Sequence, residues 1–194
     1  EERVLIEDFS GLTPTQFPET WTARDSRGET EYLIQKEMGN LFLQADVTAD
    51  SVTIYKKFDW PVKQYPFFSW RWRVKKLPKE GNETLAEKND TAAAVYGSKV
   101  NLFKLSANSI KYIWSASLPK GTEFRQKNTW VIVVESGYEN LGKWMTYKVD
   151  IYKDFKRLWG NTPSNLDVLA ILSDSDATRS RVIADYDDLL ISKN

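Results

Sequence analysis

The sequence predicts an all-β protein, an antiparallel jelly-roll-like β-sandwich with one short helix. Short apolar stretches recur along the whole chain, and turn-forming residues separate them. Aromatic residues, which favour strands, are abundant, with eight Trp, nine Tyr and nine Phe. A chain of 194 residues is long enough to bury one sandwich core without needing a second domain. We therefore predict a single β-sandwich domain over residues 1–194.

The clearest strand signal is the stretch 68–74, in which large apolar and polar side chains alternate without a break. Successive side chains of a strand point to opposite faces. Trp70 and Trp72 are therefore predicted to face the core, and Arg71 and Arg73 to face outward. Strands are predicted, in chain order, at 4–9, 32–34, 41–45, 52–58, 67–74, 92–100, 110–114, 130–135, 144–149, 168–172 and 184–191.

One helix is predicted at 150–159, because Ile151, Phe155 and Leu158 recur at helical spacing and Gly160 follows as a stop signal. Such a helix would pack on the rim of the sandwich or cap one of its ends. The charged stretch 79–90 contains turn-forming residues, so we interpret it as an exposed loop between two central strands.

The composition excludes several kinds of chemistry. The chain has no His and no Cys, so it can form no Ser-His or Cys-His nucleophile pair, no thiolate metal site and no disulfide. Any metal ion would be held by oxygen ligands, which favours Ca²⁺ or Mg²⁺. Lys plus Arg equal Asp plus Glu at 27 each, so no nucleic-acid partner is expected. No apolar run approaches the roughly 20 residues of a membrane-spanning helix, so no membrane span is expected.

Four stretches in a fixed order resemble a known family. They are Phe68-Ser69-Trp70-Arg71-Trp72-Arg73-Val74, Asn89-Asp90-Thr91-Ala92-Ala93-Ala94-Val95-Tyr96, Ser173-Asp174-Ser175-Asp176-Ala177-Thr178 and Ala184-Asp185-Tyr186-Asp187-Asp188-Leu189. Together they resemble the bacterial family catalogued as domain of unknown function 3047. The resemblance implies a galactose-binding-like jelly roll, a fold that many carbohydrate-binding modules share. It also implies a periplasmic or secreted protein, although a chain that lacks an initiator Met fits signal-peptide removal and a trimmed expression product equally well.

The first candidate site is the pair Arg71 and Arg73. Two guanidinium groups on one strand present forked donors that suit a carboxylate or sugar hydroxyls. Asp90 and Tyr96, on or beside a strand that can pair with theirs, would complete a sugar-binding face. The alternative is structural, with a buried or half-buried ion pair between these arginines and Asp90 or Asp176.

The second candidate site is the acidic turn 174–178, which follows an apolar strand. Oxygens of Asp174 and Asp176 can wrap a hard cation or contact a ligand, and the alternative is that they cap the backbone of the turn. Trp114 is one of several aromatic residues near predicted strand ends, where a ring can stack on a sugar. The predicted ligand-binding set is Arg71, Arg73, Asp90, Tyr96, Trp114, Asp174, Asp176 and Tyr186.

A structural Ca²⁺ near the chain termini is a further implication of the resemblance. Jelly rolls commonly place the first and last strands side by side, and in carbohydrate-binding relatives this neighbourhood often holds the ion. Both terminal strands of this chain carry carboxylates. The candidate ligands are Glu7, Asp8, Asp187 and Asp188.

Three functions remain open from the sequence. The first is non-catalytic recognition of a glycan on the face that carries the two arginines. The second is a polysaccharide-active enzyme. It would be a lyase in which Arg71 neutralises a uronate and Tyr96 or Tyr186 takes a proton, or a hydrolase with Asp90 and Asp176 as its carboxylate pair. The third is a structural or assembly protein of the cell envelope that binds another protein.

Overall fold

The strands form two sheets in the computed structural model, which describes residues 2–103 and 105–194. The six-stranded sheet contains β1 (Arg3–Glu7), β3 (Tyr32–Glu37), β4 (Asn40–Thr48), β6 (Phe67–Lys76), β11 (Met145–Asp150) and β13 (Arg181–Ser192). The seven-stranded sheet contains β2 (Thr22–Ala23), β5 (Ser51–Trp60), β7 (Ala93–Asn101), β8 (Ser106–Ser115), β9 (Glu123–Gln126), β10 (Thr129–Ser136) and β12 (Leu166–Asp174). The predicted all-β sandwich is confirmed.

The strand order is that of a sandwich whose chain crosses repeatedly between its layers. The six-stranded sheet has the order β11-β6-β13-β4-β3 with β1 added on β13, and the seven-stranded sheet has the order β2-β5-β12-β7-β8-β10-β9. The pairs of consecutive strands β4 and β5, β6 and β7, and β12 and β13 are divided between the sheets. This division is typical of a jelly roll. The β8 and β10 strands pair in parallel, whereas their other neighbours are antiparallel.

The helix predicted at 150–159 is present as α2 (Ile151–Trp159). It begins where a carboxylate oxygen of Asp150 accepts a hydrogen bond from the backbone N–H of Lys153 at 2.9 Å. It ends at Gly160, whose φ of 75° lies in the left-handed region that glycine adopts without strain. A second helix, α1 (Gly28–Glu31), has a single turn, and no helix in the described ranges is long and apolar enough to cross a membrane.

The core lies between the sheets and is rich in aromatic rings. The side chains of Trp70 and Trp72 on β6 are at most 1% exposed, as the alternation of 68–74 predicts. The Trp70 ring lies 5.6 Å from that of Tyr112, and the Trp72 ring lies 6.3 Å from that of Trp114. Because Tyr112 and Trp114 belong to β8, these contacts join the two sheets. Residues between the core-facing ones on each strand therefore point to the two outer faces.

Candidate binding groove

The two predicted arginines lie on the outer face of the six-stranded sheet, where their charges are paired within the protein. Arg73 donates from Nε to Asp185 at 2.7 Å and from Nη1 to Glu37 at 2.8 Å. Arg71 donates from Nη2 to Asp187 at 2.5 Å. Asp185 and Asp187 are at most 1% exposed, so these carboxylates are held almost entirely by their partners.

The register of β6 and β13 explains these ion pairs. Arg73 lies opposite Asp185, and Arg71 lies opposite Asp187, so each guanidinium meets a carboxylate directly across the antiparallel pair. The sequence left open that Arg71 and Arg73 form buried or half-buried ion pairs, and the structure shows such pairs. The predicted carboxylates, Asp90 and Asp176, were wrong, because the partners are Asp187 and Asp185.

An aromatic residue completes this surface. The Trp144 ring centroid lies 4.6 Å from the guanidinium carbon of Arg71 and 4.8 Å from that of Arg73, and Phe42 packs edge-on against Trp144 at 5.5 Å. We call the outer surface around Arg71, Arg73 and Trp144 the arginine face. Its cations are bonded to carboxylates and covered by a ring, which leaves few free donors for a ligand.

A groove of about 1430 Å³ lies on the other side of the molecule, on the outer face of the seven-stranded sheet. Its floor includes the outward-facing side chains Tyr55 of β5, Tyr96 of β7 and Lys111 of β8. Its lining extends from Arg24, beside the edge strand β2, to Arg125 of β9 at the opposite edge of the sheet. The groove therefore crosses the sheet, and its concave shape makes it a candidate binding site.

One wall of the groove is built by the loop 77–92 together with β9. Gln126 of β9 donates from Nε2 to the Glu83 carbonyl at 2.7 Å and to Asn89 Oδ1 at 3.0 Å. The Glu83 carboxylate in turn accepts from Ser115 Oγ at 2.6 Å. These bonds hold the loop against the sheet, and the prediction that residues 79–90 form an exposed loop is wrong for Glu83 and Asp90, which are 3% and 0% exposed.

Tyr96 lies at the centre of the groove floor, directly opposite Lys111 in the β7–β8 pair. Its hydroxyl donates to Thr53 Oγ1 at 3.2 Å, and its ring centroid lies 5.8 Å from Lys111 Nζ. Burial raises the pKa of the Tyr96 hydroxyl, which keeps it neutral at ordinary pH. Tyr96 is thus suited to hydrogen bonding and ring stacking, whereas a general base would need a lowered pKa.

Three predicted carboxylates meet at the end of the groove: Asp90, Asp174 and Asp176 each place an oxygen within 4.8 Å of the others. Asp90 is fully buried and accepts from the backbone N–H groups of Ala177 at 3.0 Å and Thr178 at 2.7 Å. Asp90 of the loop 77–92 therefore caps the backbone of the acidic turn 174–178. A carboxylate held in this way cannot reach a substrate, so Asp90 and Asp176 do not form a hydrolase pair.

Asp174 is the member of this cluster that lines the groove. Its Oδ1 accepts from the backbone N–H of Thr91 at 2.9 Å. Burial raises the pKa of Asp174 to about 7, and the nearby Asp90 acts in the same direction, against Lys111. Oxygen ligands at this spacing suit Ca²⁺, but a cation would have to displace the proton that Asp174 favours.

The four predicted calcium ligands do not form one site. The Glu7 carboxylate accepts from Lys56 Nζ at 2.9 Å, and Asp187 is bonded to Arg71. Asp8 accepts from the Ser10 hydroxyl at 2.6 Å, and Asp188 lies 3.2 Å from Arg71 Nε. Three of the four carboxylates thus lie against a cation of the protein, and Asp8 is hydrogen-bonded to Ser10, which weakens the reason to expect a metal ion at the termini. The group of carboxylates that does converge, within residues 2–103 and 105–194, is the Asp90 cluster.

Two predicted ligand contacts lie in the core. Trp114 is fully buried and donates from Nε1 to the Gly137 carbonyl at 3.1 Å. Tyr186 is 1% exposed, and its hydroxyl lies 2.8 Å from Ser173 Oγ. Neither can contact a ligand at the surface. Because Arg71 and Tyr96 lie on opposite outer faces of the sandwich, the predicted lyase constellation is not assembled either.

Sequence reasoning missed several groove residues, and a signal for them existed. Tyr55 alternates with core residues on β5, as Lys111 does on β8, so the pattern indicates that both point outward. The pattern does not indicate which outer face a loop encloses. That information lies in the bonds of Gln126 to the loop, which no local periodicity encodes.

The fold is shared with carbohydrate-binding modules. The family 11 module from Clostridium thermocellum, solved in complex with a β-1,3-1,4-mixed-linked tetrasaccharide, has a TM-score of 0.52 at 8% identity over 98% of this chain and 95% of that one. The family 30 module of a cellulosomal cellulase of Clostridium thermocellum has a TM-score of 0.52 at 13% identity over 100% and 99%. A family 28 module specific for non-crystalline cellulose has a TM-score of 0.50 at 10% identity over 99% and 95%.

At these identities the likeness defines the fold class, a jelly-roll β-sandwich of the carbohydrate-binding-module type. Among curated protein sequences, none matches the chain. The chain belongs to the family described as protein of unknown function (DUF3047), whose sequence pattern matches residues 19–190. The family resemblance found in the sequence is thereby confirmed.

Proposed function

We propose that this protein binds a carbohydrate without transforming it, and that the groove is its binding site. The observation that carries the proposal is the groove itself, which crosses one sheet of a jelly roll with the rings of Tyr55 and Tyr96 on its floor. A site for a small molecule has roughly 300–1,000 Å³. A groove of about 1430 Å³ therefore suits an oligosaccharide of several rings.

The nature of the floor supports a sugar ligand. Sugar rings have apolar faces that stack on aromatic rings, and their hydroxyls need paired donors and acceptors. Tyr96 offers both a ring and a neutral hydroxyl, and Ser98, Gln126 and Asn128 add polar groups along the lining. A β-1,3-1,4-mixed-linked tetrasaccharide is bound by the family 11 module, which shares the fold. Periplasmic or secreted placement, where polymeric glycans occur, is part of the proposal.

The groove is a better site than the arginine face, to which the sequence analysis assigned the ligand. A glycan on the arginine face would have to displace Asp185 and Asp187 from their guanidinium partners. Both carboxylates are almost fully buried, and an unpaired buried charge is costly. A ligand that took over the paired donors of these arginines would break the pairs that join β6 to β13.

Two matched variants test the location of the site. A glycan array identifies a ligand, and isothermal titration calorimetry then compares the wild-type protein with Tyr96→Ala in the groove and Trp144→Ala on the arginine face. We expect Tyr96→Ala to weaken binding about 30-fold, as the loss of a central aromatic contact does. We expect Trp144→Ala to keep the wild-type affinity.

The opposite ranking would move the site to the arginine face. No glycan bound by wild-type protein would refute carbohydrate binding and favour the alternative in which an outer face binds another protein of the envelope. Thermal melting of each variant separates lost contacts from lost folding.

A further inference from the structure

We infer that the groove selects anionic glycans, which carry carboxylate or sulfate groups, over neutral ones. The inference rests on the proposed function and names the ligand class of the same site. It comes from the charges that line the groove and from how each is paired.

The groove carries an excess of unpaired positive charge. Its lining contains four cations, Arg24, Lys111, Arg125 and Lys127, and two acidic residues, Glu83 and Asp174. Within the described ranges, none of the four cations has a carboxylate oxygen within 4.0 Å. The arginine face differs in this respect, since each of its guanidinium groups is paired with a carboxylate. The chain as a whole has a net charge of zero, so the excess in the groove is local.

The two acidic residues of the lining act on Lys111 through space and oppose the effect of burial on its pKa, but neither forms an ion pair with it. The Glu83 carboxylate accepts from the hydroxyls of Ser115 at 2.6 Å and Thr91 at 3.2 Å, and Asp174 accepts from the Thr91 backbone. Both side chains are buried, at 3% and 8% exposure. Burial raises the pKa of each carboxyl, which favours the uncharged acid. Their remaining negative charge is directed to bonds within the protein.

Lys111 is placed to contact a charged group on a sugar that stacks on Tyr96. The two residues face each other across β7 and β8, and the ammonium lies 5.8 Å from the phenol ring. Burial lowers the pKa of Lys111, which means that its ammonium has lost part of its hydration. An anion from the ligand would restore that lost solvation through a charge-assisted hydrogen bond. A neutral hydroxyl would do so less well.

Arg24 supplies a second positive charge on the other side of the same tyrosine. Its positive charge opposes the effect of burial on the pKa of the Tyr96 hydroxyl, and its side chain is exposed. Arg125 and Lys127 extend the positive lining toward the opposite edge of the sheet. The Arg125 guanidinium lies 4.7 Å from the Trp159 ring and donates from Nε to the Lys127 carbonyl at 2.9 Å, so its other nitrogens are the ones left for a ligand. Cations distributed along the groove match an anionic group repeated along a polymer. A single monosaccharide carboxylate would need only one of them.

The test compares three oligosaccharides by calorimetry on the full chain. Oligogalacturonate carries carboxylates, a carrageenan oligosaccharide carries sulfates, and a mixed-linkage gluco-oligosaccharide is neutral. We expect an anionic ligand to bind at least about tenfold tighter than the neutral one, with an affinity that falls as salt is raised. The two anionic ligands show whether carboxylate or sulfate is the preferred group.

Charge-removing variants test the assignment to residues. We expect Lys111→Met, which keeps the length of the side chain, to weaken anionic binding at least about 30-fold and neutral binding by a clearly smaller factor. The matched control is Lys36→Met on β3 of the other sheet, where the side chain is exposed and no change is expected. Arg24→Gln changes an exposed residue outside the core. We expect it to lower the affinity for the anionic ligand by up to about fivefold.

Each contrary result has a distinct meaning. A neutral glycan that binds as tightly as the anionic ones, or a Lys111→Met protein with wild-type affinity, overturns the inference and leaves the proposed function intact. No binding of any glycan overturns both. A single-stranded oligonucleotide that binds as tightly as oligogalacturonate overturns the selectivity for glycans, since it would show only attraction for polyanions.

Discussion

Asp174 shows how its surroundings set the behaviour of a single carboxyl group. The residue lies at the end of the groove, is 8% exposed, and has a neighbouring carboxyl in Asp90. Burial raises its pKa from 3.8 to about 7. The folded protein therefore binds a proton at this site that the unfolded chain has already released near pH 5. Stability from this group is fully present below about pH 4 and is lost as pH rises through about 7.

Asp174→Asn is expected to remove this loss. The amide cannot ionise, so the variant does not lose this contribution as pH rises. The difference in the free energy of unfolding, variant minus wild type, should increase between pH 4 and pH 7 by up to about 4 kcal/mol for this pKa difference. Urea denaturation at a series of pH values measures the difference. Asp8→Asn is the matched control, because hydrogen bonds from Ser10 lower the pKa of Asp8 and its contribution has the opposite sign. Parallel pH curves for wild type and Asp174→Asn would contradict the assignment.

The β6 and β13 strands show what local sequence patterns predict about an element. The alternation of 68–74 predicts the strand and its two faces correctly, because the period of a strand is a local property. The pairing of Arg73 with Asp185 joins residues 112 positions apart and depends on the register of β6 against β13. No local signal encodes that register, so the sequence indicated an ion pair but named the wrong carboxylates. The short strands β2 and β9 were missed because two and four residues carry too little pattern.

Removing Arg73 is expected to weaken this strand pair. Breaking a buried ion pair by removal of one partner costs about 3–5 kcal/mol. In Arg73→Met, Asp185 would keep its contacts with Gln44 Nε2 at 2.8 Å and Lys75 Nζ at 3.0 Å. We therefore expect the loss in the free energy of unfolding to lie at or below the lower end of that range. Urea denaturation gives the change in the free energy of unfolding.

The comparison variant for this pair is Arg71→Met. The Arg71 side chain is 30% exposed, against 10% for Arg73, and Asp187 would keep Asn40 Nδ2 at 2.8 Å. We therefore expect a smaller loss of stability for Arg71→Met, and unchanged glycan affinity for both variants. A larger loss of stability at Arg71 would contradict the ranking by exposure, and lost glycan affinity in a stable variant would give the arginine face a role in binding.

The groove belongs to the scale of the whole molecule, because residues far apart in sequence create it. Glu83 in the loop 77–92, Gln126 on β9 and Lys111 on β8 are brought to one groove by the tertiary structure. The sequence could predict that Tyr96 and Lys111 point outward from their strands. It could not predict that a loop encloses them, since the enclosing contacts depend on tertiary structure. For the same reason the sequence pattern favoured a ligand on the arginine face, where the alternation of aromatic residues and arginines is regular.

Glu7 acts at this scale as well, because it joins the two sheets near their edges. It ends β1 of the six-stranded sheet, and Lys56 on β5 of the seven-stranded sheet donates to it at 2.9 Å. Thr20 Oγ1 donates to the same oxygen at 2.8 Å, and the Phe9 backbone N–H donates to the other oxygen at 2.9 Å. Burial alone would raise the pKa of Glu7, but the bonds from Lys56 and Thr20 outweigh it and lower that pKa. Its stabilisation is therefore present above the pKa of the unfolded chain and is lost as pH falls through the folded pKa.

Glu7→Gln is expected to destabilise the protein by about 2–3 kcal/mol, because a charge-assisted acceptor is lost and the amide NH2 must face either Lys56 and Thr20 or the Phe9 N–H, which are all donors. Thermal melting in EDTA and in CaCl₂ then separates the two roles that Glu7 could have. If Glu7 joins the sheets through Lys56, the melting temperature falls by the same amount in both buffers, and Asp8→Asn at the neighbouring half-buried position changes it less. A fall seen only with calcium would restore the terminal metal site, since only a bound ion makes stability depend on the calcium concentration.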